Sequence, residues 1–90
     1  MTNFNAKVKV SLRSSVLDPA GEAAKKAALK LGIKGLNELR IGKSIDISID
    51  APNQEEAIRQ IELLSERLLS NPVIENWSME LSKSDQSSTN

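Results

Sequence analysis

In the segment Arg40-Ile41-Gly42-Lys43 a guanidinium and an ammonium bracket a glycine, a spacing that can hold a phosphate or pair with carboxylates on a partner. A solvated strand end accounts for the same residues, and the pattern alone leaves both readings open. Asn71-Pro72 reads most simply as a helix stop and a turn into a strand. Catalytic chemistry is sparse. The 90 residues include no His, Cys or Tyr, which removes the commonest general base at neutral pH, the cysteine nucleophile and the soft metal ligands. The serines have no triad partner. Among the acids, Asp46 and Asp50 fall on the outer side of a strand pattern, and Glu55 with Glu56 opens a helix, where carboxylates favour the macrodipole. Gly32-Ile33-Lys34-Gly35 matches the G-x-x-G clamp of KH domains, but it joins a helix to a strand and is explained by a helix C-cap followed by a turn.

The elements that position these residues follow from periodicity. Ala6, Val8, Val10 and Leu12 alternate with Lys7, Lys9, Ser11 and Arg13, which predicts a strand with one wet face. Residues 1–5 are expected to be a flexible N-terminus. Asp18 as N-cap and Pro19 at the first helical position start a helix whose stripe, Ala20, Ala23, Ala24, Ala27, Ala28 and Leu31, is nearly all alanine. So small a face predicts tight packing against a sheet, with Gly32 ending the helix in the left-handed conformation. From Leu36 to Asp50 the period returns to two, and Gly42 marks a bulge or bend in one long middle strand. A hairpin at Gly42-Lys43 is the alternative, giving β-α-β-β-α-β.

Asn53 with Glu56 imitates a capping box and opens a second helix with Ala57, Ile58, Ile61, Leu64 and Leu68 on its apolar stripe. Leu63 and Leu69 fall outside that stripe. Pro72 stops the helix, and Val73, Trp77, Met79 and Leu81 form the core side of a last strand anchored by Trp77. The predicted fold is α+β: a ferredoxin-like-related β-α-β-α-β plait, with a mostly antiparallel sheet, a long bent middle strand and two helices on one face. One domain is expected over 6–81, followed by a disordered polar tail at 82–90.

Twelve basic and twelve acidic residues cancel, so the electrostatic drive toward nucleic acid is missing. No stretch reaches the roughly 18 to 20 apolar residues of a membrane span, and no apolar signal region opens the chain, which reads as cytoplasmic. A domain this small, with 39% apolar residues and two aromatics, Phe4 and Trp77, has a modest core. Oligomerisation is expected to complete it.

The motifs Val16-Leu17-Asp18-Pro19-Ala20-Gly21, Arg40 to Lys43 and Leu68 to Glu75 stand in an order and spacing that closely resembles the PurS family, the small subunits of phosphoribosylformylglycinamidine synthase. The resemblance covers Ala6 to Leu81. Ala20 stands where glutamine is common in that family, Ser70 where alanine is common, and Asn76-Trp77 where an acid and another aromatic are usual. The resemblance implies a non-catalytic subunit acting in the fourth step of purine biosynthesis. There it joins a large ATP-dependent synthetase subunit to a glutaminase subunit as a homodimer or tetramer. It also implies that this chain binds no cofactor of its own, while the complex uses ATP and Mg.

On that basis Arg40 and Lys43 are expected to make charge-assisted contacts to a partner, and Asn71, Pro72 and Glu75 to rim a second contact. Asp18, Pro19, Gly21, Gly42 and Trp77 are expected to be structural, and no catalytic or metal-binding residue is expected. Two other functions fit a plait of this size: a dimeric regulatory module holding a small ligand between subunits, and a small acylphosphatase-like enzyme. The second lacks a glycine-rich phosphate cradle at Ser14-Ser15-Val16-Leu17.

Overall fold

The structure, a computed structural model, describes residues 1–83. Three strands, β1 (Thr2–Leu12), β2 (Lys43–Ala51) and β3 (Glu75–Lys83), form an antiparallel sheet in the order β2-β1-β3. Between them run α1 (Pro19–Lys30) and α2 (Gln54–Leu64), the latter prolonged by a π turn over Ser65–Leu69. The β-α-β-α-β order and the α+β class match the sequence reading.

The register places Val8 between Ile45 and Met79, and Val10 between Lys43 and Trp77. Phe4, Ala6, Val8 and Val10 are buried on one face of the central strand, while Asn5, Lys7, Lys9 and Ser11 stand exposed on the other. Across the buried face lies α2, which contributes Ala57 and the fully enclosed Ile61. Burying side chains such as Ile61 and Val8 stabilises the fold by about 2 kcal/mol each. Beside Ile61, Ser65 is 0% exposed and its hydroxyl has no hydrogen-bond partner. Ser65→Ala removes that unmatched polar group, so it is expected to stabilise the chain by about 1 kcal/mol, read as a Tm raised by roughly 4–8 °C in calorimetry.

Several expectations are corrected. Residues 1–5 are not a flexible end: β1 starts at Thr2, because Thr2, Asn3 and Phe4 pair with Ala51, Asp50 and Ile49. Phe4 is only 4% exposed. Nor does the polar tail begin at 82, since Ser82 and Lys83 belong to β3 and pair with Asn5 and Phe4; residues 84–90 lie outside the described residues. Val73 precedes β3 and is 81% exposed.

The long middle strand is also replaced. β2 begins only at Lys43, and residues 33–42 run outside the sheet, neither as a bent strand nor as a hairpin. Their polar groups are satisfied elsewhere: Ile41 N–H goes to the Asp18 carboxylate at 2.7 Å, and the Arg40 side chain goes to the loop after β1. With β1 paired to β2 no further than Val10, no ladder partner holds the earlier residues.

Helix α1 has no extensive contact with the sheet or with α2, so its alanine stripe is not packed on the sheet as expected: Ala20, Ala23 and Ala27 stay exposed, and only the Ala28 edge meets the chain's own return segment. Ala28 is buried there, Ile33 N–H bonds to Ala28 O at 3.1 Å, and Lys25 Nζ donates to Asn37 O at 2.7 Å. The sequence did place its ends correctly. Asp18 accepts from Gly21 N at 3.0 Å as N-cap, and Gly32 follows the C-cap with φ +93°, where only a residue without Cβ is relaxed.

In α2, Asn53 Oδ1 accepts from Glu56 N at 2.9 Å, which completes half of the capping box. Glu56 itself turns to Arg59 and Gln60, and these donors hold its carboxyl down to about 2. The π turn then shifts the apolar stripe by one residue. Its wider i to i+5 spacing, closed by Ser70 N–H to Ser65 O at 3.0 Å, makes Leu69 half-buried and leaves Leu68 73% exposed.

Candidate partner-contact corner

At the end of the sheet where β1 stops and β2 and β3 start, the three sequence motifs meet around Arg13. Its N–H donates to Ile74 O at 2.8 Å, and its guanidinium donates to Pro72 O at 2.5 Å. Arg13 O in turn accepts from Arg40 Nη2 at 2.9 Å, and the same nitrogen reaches Val16 O at 2.8 Å. One backbone position therefore ties the turn after α2, the loop before α1 and the segment before β2 together.

Asp18 closes the corner from the other side. One carboxylate oxygen accepts from Gly21 N–H and the other from Ile41 N–H, so this single side chain caps α1 and holds the return segment. The Ile41 N–H, followed by that of Gly21, holds the Asp18 carboxyl below its ordinary value of 3.8, with the Arg40 charge adding to the effect. Close contact replaces side chains at two glycines. A Cβ on Gly21 would stand 2.2 Å from Leu39 O, and one on Gly42 would stand 2.6 Å from Val10 O. At both positions there is no room for a side chain.

The turn is self-contained. Asn71 O accepts from Ile74 N–H at 3.0 Å and Glu75 N–H at 2.8 Å, Asn71 Oδ1 accepts from Val73 N–H at 3.1 Å, and Glu75 Oε1 accepts from Asn71 N–H at 2.7 Å. Asn71, Pro72, Glu75 and Arg40 are accordingly gathered in one corner, and each has internal bonds. Lys43 differs. It is exposed and takes part in none of the three ion pairs found among the described residues. Around these polar groups Leu17, Ile41 and Val73 are exposed at 72%, 47% and 81%. Trp77, next to Val10 in the sheet, is half-buried and donates Nε1–H to Glu66 Oε2 at 2.7 Å.

Sequence reasoning missed Arg13, which had been read only as the last polar residue of an alternating strand. It also missed that Arg40 is occupied by carbonyl oxygens. A cation following a strand and preceding a V-L-D-P turn is the available signal, although the acceptor of its guanidinium, Pro72 O, lies 59 residues away in the chain. Among the described residues no group of three His, Cys, Asp or Glu is placed to hold a metal ion, and no helix is long and apolar enough to cross a membrane.

Fold and corner together define a small α+β protein with an apolar-tipped corner braced by backbone-directed arginines. Residues 5–83 match the PurS family model, described as phosphoribosylformylglycinamidine (FGAM) synthase. The PurS subunit of Synechocystis is 39% identical over 79 residues, covering 88% of this chain and 79% of that protein. The PurS subunit of Archaeoglobus fulgidus is 42% identical over 74 residues, covering 82% and 92%. A chain in the structure of PurLQS from Thermotoga maritima superimposes with a TM-score of 0.83 at 33% identity, over 91% of this chain and all of that one, and Methanocaldococcus jannaschii PurS with 0.80 at 32%, over 91% and 99%. The chain belongs to the PurS family, the small subunits of FGAM synthase in purine biosynthesis.

Proposed function

We propose that this chain, as a homo-oligomer, bridges the glutaminase and synthetase subunits of FGAM synthase so that ammonia passes to formylglycinamide ribonucleotide without escaping to water. The observation that carries this reading is the close fit to the chain solved within PurLQS, at 33% identity and a TM-score of 0.83. The corner supports it. Its polar groups are spent on holding three segments in one fixed shape, and such preorganisation suits a docking surface. The gain is proximity: two reaction centres held together act on a shared intermediate at high effective concentration. ATP and Mg belong to the synthetase partner in this reading, and the compartment is the cytoplasm.

The test is glutamine-dependent FGAM formation by purified synthetase and glutaminase with and without this chain. Activity is expected only in its presence, while synthesis from added ammonium salts is expected without it. Equal glutamine-dependent activity in both samples would overturn the bridging reading. At the corner, Lys43→Glu is expected to weaken assembly roughly 10-fold or more in a binding titration while circular dichroism stays unchanged. Loss of secondary structure would reassign Lys43 to a structural role.

A further inference from the structure

Helix α2 and its π turn end in two leucines, and the turn decides which of them is covered. Regular helical spacing carries the apolar stripe from Ala57, Ile61 and Leu64 on to Leu68, yet Leu68 is 73% exposed and Leu69 is half-buried. The two side chains are identical, so exchanging them conserves the apolar area covered. What favours the wide turn must lie elsewhere. Its last bonds come from Ser70, whose N–H and hydroxyl both donate to Ser65 O, at 3.0 and 2.7 Å. Its first residue is imperfectly packed, because the enclosed Ser65 hydroxyl has no partner. Single π turns within α-helices are frequent at functional sites.

The hold on this turn is at the corner. Within residues 70–73, the one bond to a segment distant in the chain, among the described residues, is from the Arg13 guanidinium to Pro72 O at 2.5 Å. A π turn takes in one residue more than an α turn over nearly the same rotation. Winding Ser65–Leu69 as a regular helix would therefore carry Ser70 to Pro72 about 100° further round the axis and turn Pro72 O away from Arg13. The Arg13 bond is compatible only with the wide turn. Pro72 O is a neutral acceptor, whereas a carboxylate gripped by two parallel N–H bonds of one guanidinium is held roughly twice as strongly per bond. A carboxylate that takes the terminal nitrogens of Arg13 thus displaces Pro72.

We propose that Arg13 and the π turn form a latch. With Arg13 on Pro72 O the turn is wide and Leu68 faces outward. When a carboxylate of a partner subunit takes the Arg13 guanidinium, Pro72 is released, the turn relaxes to a regular helix, and Leu68 and Leu69 exchange places. Occupancy of the corner is in this way passed to the outer surface of α2 through an element with two packings, biased from one end.

The latch rests on the docking reading of the corner above, and the test keeps the two apart. The sequence has no cysteine, so single thiols introduced as Leu68→Cys or Leu69→Cys read exposure through their rate with a maleimide. In the otherwise unchanged chain the Leu68→Cys thiol is expected to react roughly 10-fold faster than the Leu69→Cys thiol. Adding Arg13→Gln to each is expected to bring that ratio to one or invert it, with circular dichroism retained. An unchanged ratio overturns the latch. Purified synthetase and glutaminase subunits are then added separately to the chains that keep Arg13. With one of them the Leu69→Cys thiol is expected to react roughly 10-fold faster, an acceleration that covering of the surface does not produce. A subunit that binds in sedimentation without accelerating it overturns the partner trigger. Failure of both subunits to bind overturns the docking reading and the trigger with it, while the Arg13→Gln ratio still judges the two packings. If Arg13→Gln unfolds the chain, the partner experiment, which leaves Arg13 in place, decides alone.

Discussion

Gly21→Ala is expected to destabilise the chain by roughly 2 kcal/mol, although alanine is favoured over glycine in helix interiors by about 1 kcal/mol. The reason is the 2.2 Å separation between the new Cβ and Leu39 O. A carbonyl oxygen of the backbone cannot move aside alone. It takes residues 39–41 with it and draws Ile41 N–H off Asp18. Urea denaturation at neutral pH measures the effect, with Gly35→Ala as a control because nothing lies within 4 Å of its added Cβ. Equal stability of the two variants would show that the arm adjusts freely and that the corner is not rigid.

Asp18→Asn is expected to lower Tm by roughly 10 °C or more. Each carboxylate oxygen accepts a different N–H, from Gly21 at 3.0 Å and from Ile41 at 2.7 Å. An amide offers one acceptor oxygen, and its nitrogen would face a second donor. The same bonds make wild-type stability depend on acid. Because the folded state depresses the Asp18 carboxyl below 3.8, the unfolded chain binds the proton more readily. The stabilisation is complete above that value and is lost as pH falls through the depressed folded value. Glu56, held at about 2 against an ordinary 4.5, acts in the same direction. Urea midpoints between pH 6 and 2 should therefore fall for the wild type and fall less for Asp18→Asn. An identical fall would assign the acid sensitivity to Glu56 alone.

The strands and both helix starts were legible because each rests on local chemistry: alternation in β1, Asp18-Pro19 before α1, Asn53 before α2. Leu36 to Gly42 was misread as strand for an equally physical reason. Leu39 and Ile41 do alternate with Glu38 and Arg40, but the structure does not use that alternation, since Leu39 is half-buried and Ile41 is exposed: the bond from Ile41 N–H to Asp18 and the span of Arg40 outcompete a ladder that has no free partner. The π turn left no mark in the sequence: regular helical spacing puts Leu68 on the apolar stripe and Leu69 outside it, the reverse of what the wider turn produces. The motifs that carry the family resemblance were visible as segments, but their meeting around Arg13 depends on register between distant strands.

The widened turn at Ser65–Leu69 also governs how much the chain can vary in length. Between Ile61, fixed in the core, and Asn71, whose neighbour Pro72 must reach Arg13, the path is set at both ends. A π turn takes in one residue more than an α turn over nearly the same rotation, so removing one residue would restore a regular helix and leave the direction of the chain after it nearly unchanged. The turn would still face the arginine that anchors it. Gain or loss of a single residue in this family should therefore be absorbed in this stretch, which acts as a vernier between helical pitch and strand register.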